Sequence, residues 1–458
     1  MTRRILVTGA SISGCAVAWW LGRRGFEVTV VEQASTFRDG GQNVDVRGAA
    51  RDVLRLMKLE DAVRERNTGE RGIAWVNDRN KTVAQIDLDG SKGDGPTAEL
   101  EILRGDLARL LHDEARGHAD FRFGDRIVGV DRKEERAHVT FQSGRAEQFD
   151  LVVIAEGVGS KTRDLLFPGE NHPRWMNLAT AFFTIKRAET DSDIARWYNV
   201  IGGASAGVRP DNTGTTRAFF NVQGPRRPTP GEGVEDQKAF LRTRFVGAGW
   251  EIPRLLAGMA DAKDFWFDDL RQVRMQRWSR GPLVLTGDAA WCVTPLGGAG
   301  ASLALIGAYV LAGELSRTQD IGEALDAYER KLRALVNKTQ SIPKLVPRLA
   351  HPHSRAGIFA LQTVQKIVAL PALQRLAIKA VTPAVETFVL PEYSGGSGDL
   401  LTIDDLASSP ADLSKPSTAR LIGWAIVAGG VGLTLGAAIL RHRKVSGVHA
   451  PGPRLPEQ

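Results

Sequence analysis

The chain has little that would let its own side chains carry a reaction. Only two cysteines, Cys15 and Cys292, occur in 458 residues, and neither sits in a CxxC or Cys/His pattern. That excludes a disulfide framework and argues against a metal site. Histidines number eight; His112, His118 and His138 fall in helix or meander contexts and read as surface residues rather than bases. There is no Ser/His/Asp set and no paired-carboxylate pattern. Charge of one sign is confined to one place. The net +7 comes from Arg330 to Val385, which holds ten Lys/Arg and no acid, while the rest of the chain is nearly balanced. Nothing in this distribution calls for a nucleic-acid partner. Met1-Thr2-Arg3-Arg4 runs directly into an apolar strand without a signal-peptide pattern, so a cytoplasmic body is expected.

What is present begins at the first forty residues. Ile5-Leu6-Val7 reads as a strand, Gly9-Ala10-Ser11-Ile12-Ser13-Gly14 as a tight turn, and the residues to about Arg24 as a helix. Gly25 returns the chain to a second strand, Val28 to Val31, closed by Glu32-Gln33. A βαβ unit of this form binds a dinucleotide: small residues let backbone N–H groups approach a pyrophosphate at the helix N-terminus. The acid closing the second strand accepts hydrogen bonds from the ribose. Ser11 replaces the middle glycine of the usual pattern and crowds the phosphates unless its hydroxyl donates to one.

Further stations follow. A glycine-opened loop, Gly40 to Gly48, carries Asp45 and Arg47. Arg104 stands at a strand-to-helix junction, where a guanidinium can reach a phosphate or form a surface ion pair, and Asp106 is expected to cap the helix. A buried parallel-type strand, Asp150 to Ala155, ends in Glu156-Gly157. Residues 178–270 read as an aromatic-rich antiparallel sheet. The nucleotide-binding style then returns with a strand at Pro282 to Thr286, followed by Gly287-Asp288. A small-residue loop with Pro295, Gly298, Gly300, Ala301 and Ser302 opens a long apolar helix, whose N-terminus suits the electron-rich edge of a flavin. Asp288 is placed to bond ribityl hydroxyls.

These three ordered motifs resemble the single-component FAD-dependent aromatic hydroxylases with the para-hydroxybenzoate hydroxylase fold, and within them the tetracycline monooxygenase branch. The resemblance covers roughly residues 3–395. It implies an α/β protein: a Rossmann-like FAD-binding domain (1–177 and 276–340) interleaved with an antiparallel-sheet substrate domain (178–275), then a helical cap (341–395). It implies FAD, with NADPH or NADH as co-substrate and O2 as oxidant. A flavin C4a-hydroperoxide would hydroxylate a hydrophobic aromatic or polycyclic compound, with no dedicated catalytic side chain. By position, Glu32 would bind ribose, Asp45 and Arg104 the flavin region, and Asp288 the ribityl or pyrophosphate part, with Pro295, Gly298 and Gly300 shaping the ring loop. Substrate contacts are expected from Phe182, Tyr198, Arg209, Arg217 and Phe220.

Besides Ser11, five positions depart from the family pattern: Glu156 where Asp is usual, Trp291 where His is usual, Gln33 for Arg, Ser302 for Asn, and Gly307 where an acid often follows. Gly249-Trp250-Glu251-Ile252-Pro253 half-matches a halogenase signature whose first tryptophan is missing. An alternative activity sharing every FAD motif is a membrane-associated reductase or oxidase of a quinone or prenyl-type lipid.

The C-terminal part adds an expectation of its own. Ala356 to Val381 reads as two amphipathic helices split at Pro371. After a polar linker (396–420), Leu421 to Leu440 is twenty uncharged residues with Gly432-x-x-x-Gly436, enough to span a bilayer. Attachment to the cell membrane through this segment is expected, followed by a basic, disordered tail (441–458).

Overall fold

Short runs of β-branched residues, too short for helices and apolar on both faces, build the first sheet. The computed structural model describes residues 2–393 apart from 39, 88–99, 134–135, 226–231, 371–372 and 374–383. Strands Leu283–Leu285, Leu151–Ile154, Arg4–Thr8, Glu27–Glu32 and Asp120–Phe123 lie in that order, all parallel. Ile5, Leu6, Val7 and Leu151 to Ile154 are buried, as a parallel sheet covered on both faces requires. The helix Ile12–Arg23 lies against the long helix Gly300–Arg317, with Trp20 edge-on to Tyr309 at 4.9 Å. Asp120–Phe123 joins this sheet, and Ile127–Lys133, Arg136–Phe141 and Ala146–Phe149 form a separate three-stranded antiparallel sheet. His112 is not a surface residue: it is buried among Phe37, Phe121 and Phe123, and that burial lowers its pKa.

The second sheet has seven strands, in the order Trp266–Gln272, Arg174–Lys186, Thr215–Gln223, Ala204–Pro210, Ile194–Val200, Gly72–Val76, Thr82–Asp87. Its last two strands come from the stretch assigned by sequence to the FAD-binding domain. Gly72–Val76 joins parallel to Ile194–Val200, a long-range pairing that no local pattern announces. One face is closed by helices Val234–Phe245 and Ile252–Asp261, which pack on Phe183, Ala206, Ala218 and Phe220. A two-stranded ribbon, Asn43–Val46 with Leu100–Leu103, stands between the sheets. The helix after it begins at Arg104 itself, so Asp106 lies in its first turn instead of capping it.

Helices Ile321–Thr339, Val346–Ala350 and Arg355–Val368 follow. The chain then returns to the FAD-binding side: Tyr309 donates to the Pro391 carbonyl at 2.9 Å, and Tyr393 donates to Glu314. Among the described residues no helix is long and apolar enough to cross a membrane. The segment 421–440, its linker, the tail and most of the helix expected beyond Pro371 lie outside the described residues.

Candidate active site

The turn after the first strand creates an anion-binding end. Ser11 occupies the N-cap position of the first helix with extended backbone but makes no capping bond. The first-turn amides of a helix have no intrahelical partner. The Ser11 hydroxyl instead accepts from Arg104 Nη2 at 2.7 Å, which leaves its own proton for another acceptor. Glu32 accepts from the N–H of Ala10 at 3.0 Å and of Ala34 at 2.8 Å, one on each oxygen. Each oxygen keeps acceptor capacity for a ribose hydroxyl. Gln33 is exposed. Ser13 packs the helix onto the next station, since a Cβ on Gly287 (φ +59°) would lie 2.7 Å from its side chain.

Asp288 follows Gly287 at the end of its strand. Its side chain is open to water, yet it lies deep between protein walls, and that burial pushes its carboxyl up while Arg104 across the groove pulls it back. Burial lowers the Arg104 guanidinium, and Asp288 opposes this. A deep cation, a free serine proton and uncapped amides fit a diphosphate; a deep carboxylate beyond them fits polyol hydroxyls. The Cys292 thiol donates to Asp288, and both buried cysteines have their pKa raised by desolvation.

The loop that follows is under strain. Thr294 has φ 65° and ψ 161°, a conformation a β-branched residue adopts only under constraint. Its buried hydroxyl has no hydrogen-bond partner among the described residues. Pro295–Gly297 make one tight turn and Gly298 is left-handed at φ 59°. Gln340 Nε2 holds the preceding backbone by the carbonyls of Val273, Trp291 and Cys292 at 2.8, 3.1 and 3.2 Å. Neither Thr294 nor Gln340 is visible as functional from sequence. Gly300 and Ala301 open the long helix, half-buried, and Ser302 is fully buried. Its hydroxyl accepts from the Arg47 N–H at 3.1 Å and donates to the Asp45 carbonyl at 3.2 Å. The Asp45 carboxylate pairs with Arg47 at 3.0 Å, so Asp45 and Ser302 tie the ribbon to the glycine loop.

Three departures from the family pattern have local explanations. Glu156 accepts from Thr8 Oγ1, Ser160 Oγ, Thr162 Oγ1 and the Thr162 N–H at 2.5, 2.8, 2.5 and 3.1 Å. Four donors fill a carboxylate's capacity, so Glu156 locks the first strand to the helix Lys161–Leu166 and has no lone pair left for a cofactor. Gly157 has φ +82° with open space around it. Trp291 and Gly307 form one packing event: the indole is buried against Trp278 at 4.5 Å, and a Cβ on Gly307 would lie 2.9 Å from it. Gly307→Ala should therefore destabilise by about 1–3 kcal/mol through overpacking. The cost should vanish in a Trp291→His background, measured by urea unfolding; equal costs in both backgrounds would contradict the pairing.

The candidate substrate residues divide by strand parity. Phe220 is fully buried on the helix-covered face, against Phe183 and Phe245. Tyr198, opposite Ala206, lies on that face too and packs on Trp250. Neither can touch a substrate in the cleft. The opposite face carries Phe182, Phe219, Trp197 and Trp266 as a lane of rings 4.8 to 6.4 Å apart. Arg217 is on this face, donating to Asp211, Thr184 and Asp264 at 3.1, 2.6 and 3.2 Å. Arg209, directly opposite it, donates from Nε to Glu70 at 2.7 Å and from Nη2 to Glu101 at 2.9 Å. This face meets the FAD-binding side: Gly40, whose carbonyl accepts from Arg104 at 3.5 Å, approaches Asp264.

The FAD binding domain family matches residues 2–341. Monooxygenase CTB7 of Cercospora beticola is 35% identical over 419 residues, 87% of this chain and 99% of its own. The uncharacterized protein Rv1260 of Mycobacterium tuberculosis is 37% identical over 322 residues, 69% of this chain and 86% of its own. Among solved structures, tetracycline destructase Tet(51) aligns with a TM-score of 0.73 at 28% identity, over 86% of this chain and 100% of its own. The chain belongs to the FAD binding domain family and is an FAD-dependent monooxygenase of its aromatic-hydroxylase branch.

Proposed function

We propose that this monooxygenase uses NADPH or NADH and O2 to hydroxylate a hydrophobic aromatic or polycyclic compound bound on the open face of the seven-stranded sheet. The observation that carries the reading is the lane of four rings, Phe182, Phe219, Trp197 and Trp266, on the sheet face turned away from helices Val234–Phe245 and Ile252–Asp261; Val346–Ala350 reaches this face at Leu178 and Leu270, and the end of Arg355–Val368 reaches it beside Trp197. Aromatic faces of this kind favour flat ring systems. The likeness to a tetracycline destructase supports a multi-ring substrate. When bound, FAD supplies the redox chemistry and oxygen activation.

The chain's own residues bind, orient and exclude water. The first-turn amides from Ile12, Ser13 and Gly14, with Gly9 at the turn, Arg104 and the Ser11 hydroxyl, would hold the diphosphate. Glu32 would hold the ribose and Asp288 the ribityl chain, while Pro295 to Ser302 would form the wall against the ring. Membrane attachment through 421–440, with a cytoplasmic body, belongs to the same proposal; the uncharged length of that segment supports it.

Labelled O2 tests the reading. Turnover of a polycyclic phenol with NADPH should place one labelled oxygen in the product. NADPH oxidation without label in any product would favour the quinone or prenyl-lipid reductase instead.

A further inference from the structure

Around Arg209 the chain gathers more acid than its cations balance. Asp45 and Glu101 are directly opposite on the ribbon between the sheets. Glu70, on the loop entering Gly72–Val76, has a fully buried side chain, bonded through one oxygen to Arg209 Nε at 2.7 Å. Its other oxygen, buried, has no hydrogen-bond partner among the described residues. Glu101 is better provided for: Arg209 Nη2 reaches one oxygen at 2.9 Å, while Asn43 and Thr68 donate to the other at 2.5 and 2.6 Å. Asp45 is paired with Arg47, which also faces Glu386 at 3.7 Å.

Three carboxylates thus converge on Arg209, and only one of them, Glu101, is fully hydrogen-bonded. Burial away from water, with Glu101 and Asp45 nearby, pushes the Glu70 carboxyl up to about 8 despite Arg209. A buried acid with an idle oxygen avoids the cost of its charge by keeping a proton. Arg209 is held strongly protonated by the acids around it. Its Nε and Nη2 are committed, its side chain is 21% accessible, and it lies on the open aromatic face, two positions from Gly207 and across from Arg217. The third nitrogen, Nη1, has no hydrogen-bond partner among the described residues.

We propose that Glu70 is a positioning residue whose proton sets the charge Arg209 offers to the substrate, and that the substrate class is an aromatic compound bearing an ionised oxygen, held at Arg209 Nη1. With Glu70 protonated, Arg209 shares its charge mainly with Glu101 and can accept a phenolate, enolate or carboxylate oxygen. When Glu70 releases its proton to solvent, a second carboxylate claims the guanidinium and the site repels anions. No bond is made or broken in this step. The inference rests on the open face being the substrate site.

The test uses the FAD-loaded full chain without nicotinamide. The probe is naphthalene-2-carboxylate, an aromatic anion that stays ionised throughout the pH range. Binding is read from perturbation of the flavin spectrum. If only the protonated site binds, affinity falls about thirtyfold between roughly pH 7 and pH 9.5. Glu70→Gln, which keeps the hydrogen bond to Arg209 and cannot ionise, should bind with no such fall. Arg209→Gln should bind weakly at every pH.

A ligand-free readout covers the case in which a variant folds poorly. Between the ordinary glutamate range and about pH 8 the native chain keeps a proton that the unfolded chain has lost. Wild-type stability therefore falls as pH rises through that window, and Glu70→Gln should remove this slope. A flat wild-type binding profile, or the same fall in Glu70→Gln, overturns the inference while leaving the flavoprotein reading intact. Failure to take up FAD would strike that reading instead.

Discussion

Gly14→Ala should give a colourless protein. A Cβ at this position would lie 1.8 Å from the Gly9 carbonyl oxygen, a backbone atom with no flexible end to yield. The first helix would have to withdraw from the strand beside it, and its first-turn amides would move with it. Overpacking of this kind typically costs about 1–3 kcal/mol, and so close a contact belongs at the upper end. The same displacement removes the donors that a diphosphate needs. Gly25→Ala is the control: its φ of +83° is unfavourable for alanine, but nothing lies within 4 Å of the new methyl. That variant should lose about 1–2 kcal/mol and stay yellow. Flavin absorbance per mole of protein, with thermal unfolding on the same samples, separates the two. A yellow Gly14→Ala protein of wild-type stability would contradict the account of the turn.

Asp288→Ala should weaken cofactor binding without destabilising the apoprotein. The carboxylate is open to water along the groove, and its protein partners there are the Cys292 thiol and the opposite charge of Arg104. Removing it should leave the cofactor-free protein about as stable as before. The FAD complex loses charge-assisted hydrogen bonds worth about 1.5–3 kcal/mol, a roughly ten- to hundredfold weaker dissociation constant. Arg104→Ala should weaken FAD as well, because the Ser11 hydroxyl loses its donor and the diphosphate its cation. Equilibrium titration with FAD and denaturant unfolding of the apoprotein measure the two effects. A destabilised apoprotein that binds FAD normally would make Asp288 a packing residue only.

The first strand, turn, helix, second strand and Glu32 were legible because each is written in local chemistry: β-branched runs, small turn residues, a terminal acid. The same holds for Gly287-Asp288 and the glycine loop. Strand parity was not legible. Phe219 and Phe220 are adjacent and chemically alike, and only the register against Ala206 and Gly207 decides which ring faces the helices. Gly72–Val76 could not be placed because its partner is more than a hundred residues away. Glu156 carries the family's charge but spends it on Thr8, Ser160 and Thr162, a matter of side-chain reach that composition cannot express. Trp291 and Gly307 looked like separate departures until the indole was found filling the space a side chain at 307 would need. Glu70 escaped notice because a lone glutamate on a loop reads as solvated; its burial is created by the distant Arg209 and Glu101.

Where FAD lies decides every role assigned above, and an experimental structure of the FAD-loaded chain tests that most directly. The predicted result has the diphosphate at the start of the first helix within reach of Ser11 and Arg104, the ribityl chain at Asp288, and the ring against Pro295 to Gly300 facing the lane of Phe182 and Phe219. A flavin bound elsewhere, or a ring turned away from that lane, would contradict it.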